Sequence, residues 1–517
     1  MIVPVAASTY EGAKRLMEAA RAAGAEMLEL RTDYLQSLNI LLVKKLVSEA
    51  KGERRSLPII VTCRDKRQGG STAWPEQLRV DVLRGALEAG AEFVDFEYEN
   101  FLSAVNKEKI LVALSRNQKA RLILSAHNFE MRFINIGRLY RDILAAYPAA
   151  IAKLVYTANH INDCFEAFDL LHNSSGKRIV FCMGEAGLIS RIMAKKLGSF
   201  VTFASIDERS RTAPGQLSIE KFRKLYRCDS IDSETELYGV IGSPVAHSLS
   251  PAIHNKCFGE IRANKLYLPL LVEGGRVEFE RFMQNVLNRA WLGFKGFSVT
   301  IPHKQHALDY VRQRQGFVEP LAERIGAVNT VVVGSNGKLS AYNTDYAGAL
   351  NAITSALGVR RTDLKDLAVA VIGAGGVARA IVAGLSDIGA KIKIYNRTFK
   401  KGEELAAEFG CFFAPLDDLP NVKAKLVINC TSIGMHPNSE ATVLPKECIK
   451  KDMAVFDTVY NPAETLLLKN AKKAGAKTID GLSMFINQAC AQFRLFTGRD
   501  ANRELMRKNV SKSLSKK

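Results

Sequence analysis

The sequence predicts an α/β protein of two units: an N-terminal (β/α)8 barrel, then a two-lobed unit with a Rossmann nucleotide-binding lobe. Three observations predict it. In residues 1–205 eight short β-branched runs alternate with stretches of helical apolar spacing, the rhythm of a small barrel of consecutive βα units. A polar, acidic stretch, RCDSIDSETE (Arg227 to Glu236), then interrupts the rhythm and reads as a linker. Beyond it an apolar strand opens into the glycine-rich turn of VIGAGGVARA, the local pattern of a dinucleotide-binding βαβ unit.

The eight strand candidates of the first half are IVPVAA from Ile2, EMLELR from Glu26, LPIIVTC from Leu57, AEFVDFE from Ala91, ARLILSA from Ala120, IAKLVYT from Ile151, KRIVFCM from Lys177 and SFVTFAS from Ser199. Helical segments lie between them; PEQLRVDVLRGALEAG opens with Pro75, a residue suited to a helix start. Periodicity leaves an open doubly wound sheet standing as the alternative. In the second half, ELYGVIG reads as a strand and SPVAHSLSP as a loop, and the basic tail KNVSKSLSKK reads as frayed.

Composition narrows the function. A chain of 517 residues with 47% hydrophobic content has material for two or three cores and no disorder signature. No apolar run reaches the ~20 residues of a membrane span, and MIVPVAASTY reads as a strand, not as a secretory or transit segment. The nine cysteines form no C-x-x-C pair, which argues for a reducing, cytoplasmic setting with neither structural disulfides nor a zinc or other metal site. The net charge of +19 is spread along the chain without an aromatic-basic cluster. It reads as a solvated surface that attracts anionic substrates, not as a nucleic-acid footprint.

Barrel enzymes carry their chemistry at the carboxyl ends of the strands. There the first half offers Glu29, Arg31, Arg64 and His127, with Arg191 after a later strand. Lys153 lies inside the apolar strand AIAKLVYT. Burial favours a neutral amine, which can attack a ketone; a lysine snorkelling at the rim is the alternative. His127 closes the preceding strand, so its imidazole stands beside such an imine. It can remove the adjacent proton and return it to a departing β-hydroxyl. The arginines suit a substrate carboxylate, and RTAPGQLSIEKFR (Arg211 to Arg223) has the proline and glycine of a closing loop.

LELRTDYL, VTCRDKRQGG, SAHNF, AKLVYTA, MGEAGLISR and TAPGQLS occur in order over Met1 to Cys228, and this stretch resembles type I 3-dehydroquinate dehydratase. The resemblance implies Lys153 as the Schiff-base lysine and His127 as the acid/base. Glu29, Arg31, Arg64, Arg191, Thr212 and Gln216 are then substrate-holding positions. Two departures stand out. Gln68 occupies the place of a glutamate that orients the histidine, and Thr212 that of a lid serine.

In the second half Gly373, Gly375 and Gly376 lie where a strand meets a helix N-terminus, the place of a pyrophosphate. The next strand, KIKIY, ends in Asn396, Arg397 and Thr398, with Lys400 and Lys401 beyond. An NAD site places an acidic residue there; a basic end favours NADP. Lys304 ends FSVTIPHK and Asp345 ends AYNTD; a lysine beside a carboxylate can pass a proton to a carbonyl as hydride arrives, and a surface ion pair is the alternative.

SPVAHSLSP, FSVTIPHK, GAVNT, NTD, GAGG, NRT, NCTSIGM and GLSMFINQA, in order from Glu236 to Arg499, resemble shikimate dehydrogenase. The resemblance implies Lys304 and Asp345 as the catalytic pair. It implies Ser248, Ser250, Thr300, Asn329, Tyr460 and Gln488 as substrate-holding. Gly373, Gly375, Gly376, Val377, Ala378, Asn396, Arg397, Thr398, Lys401, Thr431, Ser432, Gly481 and Met484 fall on the cofactor side. Lys401 stands where the family often has arginine.

Together the resemblances imply a barrel over 1–228 and a dehydrogenase over 236–517. In the latter, a substrate lobe spans about 236–340 with the C-terminal helices added, and an NADP-binding lobe spans about 341–484. They imply dehydration of 3-dehydroquinate to 3-dehydroshikimate and its reduction to shikimate with NADPH. The partners are then small molecules, with neither nucleic acid nor membrane among them. A quinate/shikimate dehydrogenase with a weak barrel, a different Schiff-base lyase such as an aldolase, and a metabolite sensor without turnover are the alternative readings.

Overall fold

A computed structural model describes residues 1–52 and 56–514. The chain divides into two compact units, Met1–Thr235 with Leu270–Val272, and the remainder from Glu236.

The first unit is built on β1 (Ile2–Val5), β2 (Met27–Arg31), β3 (Ile59–Thr62), β4 (Phe93–Glu97), β5 (Arg121–Asn128), β6 (Ile151–Thr157) and β7 (Arg178–Met183). They pair in chain order, each parallel to the next. Helices return the chain between them, several begun by side-chain caps such as Thr9 on Gly12 N–H and Asn39 on Leu42 N–H.

The period of two along each strand fixes what the ring encloses. Ile2, Met27, Ile60, Phe93, Ile123, Ile151 and Ile179 belong to one buried apolar cluster. Two residues further along the same strands stand Glu29, Thr62, Asp95, Ser125 and Lys153, all buried. Chemistry therefore rests on a packed apolar floor, set there by strand alternation.

The eighth strand departs from the sequence expectation. Of SFVTFAS only Ala204–Ser205 (β8) is extended, and it pairs with β9 (Leu217–Ser218). The segment still joins both edges of the ring: Phe200 N–H donates to Arg178 O, and Ile2 N–H to Thr202 O, with a bridge between Ile2 and Phe203. β1 is only four residues long, so the eighth segment outruns its partner and turns to the loop strand β9. The Arg227–Glu236 stretch is not a free linker. Ile231 and Thr235 are buried, and Lys196 Nζ donates to Ser233 O at 2.7 Å.

In the second unit β10 (Glu236–Gly242), β11 (Lys265–Leu271), β12 (Phe294–Val299), β13 (Phe317–Val318), β14 (Thr330–Val333) and β15 (Leu339–Tyr342) form one sheet, ordered β11-β10-β12-β14-β15-β13. The helix Thr344–Leu357 leads to a second sheet of β16 (Ala368–Ile372), β17 (Lys391–Asn396), β18 (Phe412–Pro415), β19 (Leu426–Asn429), β20 (Ala454–Asp457) and β21 (Lys477–Ile479). Its strands are parallel and ordered β18-β17-β16-β19-β20-β21, the doubly wound order with its switch point between β16 and β19. Apolar clusters cover both faces.

The helix Gly481–Thr497 returns to the first lobe, where Tyr238 Oη donates to Phe496 O at 3.0 Å. The basic tail is helical rather than frayed. Arg503–Leu514 is a helix that buries Met506 and Val510, because its apolar positions fall on one face; residues 515–517 lie outside the described residues.

Candidate functional site

In the barrel unit Lys153 Nζ donates to Asp95 Oδ2 at 2.7 Å and lies 3.6 Å from Glu29 Oε1 and 4.7 Å from the centre of the Phe203 ring. Thr62 Oγ1 donates to Glu29. Burial pushes the Asp95 carboxyl up, but Arg64 and Lys153 together hold it well below the usual carboxylate range. His127, on the neighbouring strand β5, has its imidazole driven well below the ordinary value by burial first, then by the charges of Arg64 and Lys153. It is neutral at pH 7, the state a proton acceptor needs. Its Nδ1 stands 3.2 Å from Gln68 Oε1, so its partner is an amide where a carboxylate was the family expectation.

One cavity is lined by Glu29, Arg31, Arg64, His127, Lys153, Arg191, Thr212 and Gln216, with Gln68, Phe129 and Phe203 beside them. The structure thus brings every barrel residue singled out from the sequence to a single hollow. Their states differ. Arg31 is engaged by Asp33 through two hydrogen bonds, and Arg64 by Asp95, Glu97 and Ser125. Arg191 lies on the helix Leu188–Ile192 at 1% exposure, its guanidinium over the Phe181 ring, and its Nε and Nη2 have no hydrogen-bond partner. Burial lowers it to about 10, still a cation at neutral pH. A buried cation with two unsatisfied donors is a ready partner for a carboxylate.

The closing loop is seated. Gln216 Oε1 accepts from Thr212 N–H at 2.8 Å and Thr212 Oγ1 at 3.2 Å. Gly215, at φ 74°, packs on the backbone of Gly184; a Cβ there would meet Gly184 O at 2.5 Å, so only glycine fits. Sequence reasoning passed over Asp95, Glu97 and Ser125. The signal was present in AEFVDFE, where two acids at alternate positions of an apolar strand must share one face.

In the second unit Lys304 Nζ donates to Asp345 Oδ2 at 2.5 Å. Lys304 opens the helix Lys304–Gln313 just after β12, and Asp345 lies in the first turn of Thr344–Leu357, which Asn343 caps. Asn329 braces the pair: its Nδ2 donates to Asp345 Oδ1 at 2.9 Å and to Thr344 Oγ1 at 3.0 Å. Both its donors are therefore engaged internally, which makes Asn329 a brace for Asp345 as much as a substrate contact. Thr344 Oγ1 in turn reaches Gln488 Oε1 at 3.4 Å. That approach requires Gly348, whose Cβ would lie 2.9 Å from Met484 O. Ser248, Ser250 and Thr300 follow β10 and β12, which are adjacent and parallel, so all three stand at one sheet edge. Tyr460 follows β20 on the other lobe, stacked on Phe485.

The cofactor-side residues gather at the carboxyl ends of the second sheet. Gly373 (φ 109°), Gly375, Gly376, Val377 and Ala378 join β16 to the helix Gly376–Ile388. Thr431 and Ser432 follow β19 across the switch point, and Gly373 comes so near that a Cβ would lie 3.1 Å from Thr431 Cγ2. A Cβ on Gly375 or Gly376 would meet nothing, so open space faces the free N–H groups of that helix, where a pyrophosphate fits. Asn396 ends β17 and Arg397 and Thr398 follow it, with Arg397, Lys400 and Lys401 exposed; this basic end suits a 2′-phosphate. Gly481 and Met484 begin the last long helix.

Comparison with known proteins places these features. The family model for type I 3-dehydroquinase matches residues 1–233. Models for the shikimate dehydrogenase substrate binding domain, shikimate / quinate 5-dehydrogenase and the shikimate 5'-dehydrogenase C-terminal domain match 240–331, 356–459 and 481–510. A bifunctional 3-dehydroquinate dehydratase/shikimate dehydrogenase, chloroplastic, of Arabidopsis thaliana is 36% identical over 98% of this chain and 84% of that protein. A shikimate dehydrogenase (NADP(+)) of Methanosarcina acetivorans is 40% identical over 54% of this chain and 98% of its own length. A crystal structure of a shikimate dehydrogenase in complex with NADP+ matches with a TM-score of 0.50 and 37% identity, covering 55% of this chain and 97% of that one.

Proposed function

The chain belongs to the family of bifunctional 3-dehydroquinate dehydratase/shikimate dehydrogenases, and on that footing we propose how its residues divide the work. It is a two-activity enzyme of the shikimate pathway: 3-dehydroquinate is dehydrated to 3-dehydroshikimate, which is reduced with NADPH to shikimate. Residues 1–228 carry the dehydratase and residues 236–517 the reductase, with the Rossmann lobe as the NADP-binding part.

In the barrel, Lys153 attacks the substrate ketone as a neutral amine and water leaves to form the imine. The imine acidifies the adjacent C–H; His127 takes that proton and returns it to the departing β-hydroxyl, and hydrolysis frees Lys153. Arg191 holds the substrate carboxylate through its two unpartnered nitrogens. The observation that carries this reading is the single cavity around Lys153 that gathers Glu29, Arg31, Arg64, His127, Arg191, Thr212 and Gln216.

In the second unit NADPH supplies the hydride. Lys304, pinned by Asp345, gives a proton to the carbonyl oxygen, and Asn329 keeps Asp345 in place. Ser248, Ser250, Thr300, Asn329, Tyr460 and Gln488 hold the substrate. Among the described residues no helix is long and apolar enough to cross a membrane. The free thiols support a cytoplasmic setting as part of this reading. The test is NADPH oxidation by the purified chain on 3-dehydroshikimate. Turnover with a strong preference over NADH supports the assignment; equal use of NADH, or consumption of quinate in place of shikimate in the reverse direction, overturns the finer part of it.

A further inference from the structure

Seven ionisable side chains of the barrel unit form one string in which basic and acidic groups alternate. Lys153 Nζ meets Asp95 Oδ2 at 2.7 Å, Asp95 Oδ2 meets Arg64 Nη2 at 2.8 Å, and Arg64 Nη1 meets Glu97 Oε1 at 3.0 Å. Glu97 Oε2 then meets Arg79 Nη1 at 2.8 Å, Arg79 Nη2 meets Asp65 Oδ2 at 2.9 Å, and Arg67 ends the string on Asp65 at 2.8 Å. Arg67 is 71% exposed at its side chain; the other six members are buried. Neutral groups complete the string: Asn100 Nδ2 donates to Asp65 and Glu97, and Ser125 Oγ donates to Asp95 Oδ1 at 2.6 Å.

Arg79 is a buried cation of the string that the dehydration chemistry does not call on. It lies on the helix Glu76–Glu88, outside the ring of strands, yet it is 2% exposed and points its guanidinium at Glu97 and Asp65. A buried cation is costly unless fully paired, so its place needs a reason. The pairing along the string supplies one. An amine attacks a ketone only when neutral, and with Lys153 neutral the other six members hold three positive and three negative charges, with the buried Glu29 carboxylate standing separately 3.6 Å from the amine. Without Arg79, Arg64 becomes the only buried cation serving two buried carboxylates, Asp95 and Glu97, at low dielectric. Arg64 is then drawn toward Glu97, and Asp95 keeps Ser125 but has a weaker hold on the guanidinium at the oxygen that meets Lys153.

We propose that Arg79 is a positioning residue for imine formation: by satisfying Glu97 it keeps Arg64 on Asp95, and Asp95 keeps the Lys153 amine in place. This rests on the reading of Lys153 as the imine-forming residue. The full-length chain carrying Arg79→Met, Arg79→Lys or Lys153→Ala is assayed for dehydratase kcat and KM. The same samples are tested for borohydride trapping of 3-dehydroshikimate on the protein by mass spectrometry and for thermal midpoint, with reductase activity as the internal control. Arg79→Met is expected to lower kcat and the trapping rate together, on the order of 10- to 100-fold, with KM changed by less than about 3-fold and the reductase unaffected. Arg79→Lys keeps the charge but bonds one carboxylate at a time; its loss is expected to be smaller but in the same two quantities. Should Arg79→Met fail to fold, Arg79→Lys decides. Wild-type kcat and trapping per folded molecule, with only a lowered thermal midpoint, would show a purely structural role and overturn the proposal. Dehydratase activity surviving in Lys153→Ala would instead overturn the reading beneath it, whatever Arg79 does.

Discussion

Gln68 Oε1 stands 3.2 Å from His127 Nδ1 and 3.2 Å from the backbone nitrogen of the same residue, whose N–H it accepts. One amide oxygen therefore holds both the backbone and the ring of His127, the proposed proton carrier. What it does not provide is charge.

A carboxylate at that point counters the burial and the cations that lower the imidazole. Gln68→Glu is accordingly expected to raise the basicity of His127 and the dehydratase kcat at neutral pH by about 3- to 10-fold, in line with the Brønsted dependence of general base catalysis. Steady-state dehydration kinetics, with His127 titrated by NMR in both proteins, check it. An unchanged or lower kcat with a raised imidazole pKa sinks the idea that basicity limits this site.

On the proposed mechanism Lys304→Ala removes the proton donor to the reducible carbonyl. The reductase kcat should fall on the order of 10²- to 10⁴-fold, the usual range for a general acid, while dehydration in the same molecule continues at the wild-type rate. Comparable loss in both activities would mean that the variant is unfolded and not chemically disabled.

Arg397 directly follows β17 and is exposed; on the proposed reading it meets the cofactor's 2′-phosphate. Arg397→Ala is expected to raise KM for NADPH by about 10- to 100-fold, the worth of one or two charge-assisted hydrogen bonds, and to leave KM for NADH nearly unchanged. Initial-rate measurements with both cofactors discriminate; a parallel rise in the two would place Arg397 away from the 2′-phosphate.

His254 predicts a pH dependence of stability. It is fully buried, its ring stacked at 4.5 Å on Tyr267, with the Gln492 side chain beside it as a weak opposing influence. Burial lowers it from 6.5 to about 3. Between those values the unfolded chain binds a proton that the folded chain does not. Stability from this group is thus complete above pH 6.5 and declines as the pH falls toward 3, by about 2 kcal/mol at pH 5. Calorimetry of the second unit's transition should show its Tm dropping between pH 7 and pH 5, and His254→Leu should flatten that drop. An equal drop in the variant assigns it to other groups.

Much of this was legible because the residues concerned break a local rule. Lys153 interrupts an apolar strand, and a basic end to β17 contradicts an NAD site. What escaped the sequence has a common physical cause, dependence on partners distant along the chain. Nothing in the helical segment PEQLRVDVLRGALEAG singles out Arg79; only the fold brings it to Glu97 and Asp65. Asn329 reads as a substrate ligand, and its second part as a brace shows only once its donors are found on Thr344 and Asp345. The eighth strand has the right residues, but β1 is too short to pair with all of it.

The most direct measurement gives the purified chain 3-dehydroquinate and NADPH together and identifies the product by mass spectrometry. Shikimate is predicted. With Lys153→Ala none should form from 3-dehydroquinate, while added 3-dehydroshikimate is still reduced. No shikimate from the wild-type chain, or shikimate from 3-dehydroquinate with Lys153→Ala, would contradict the account.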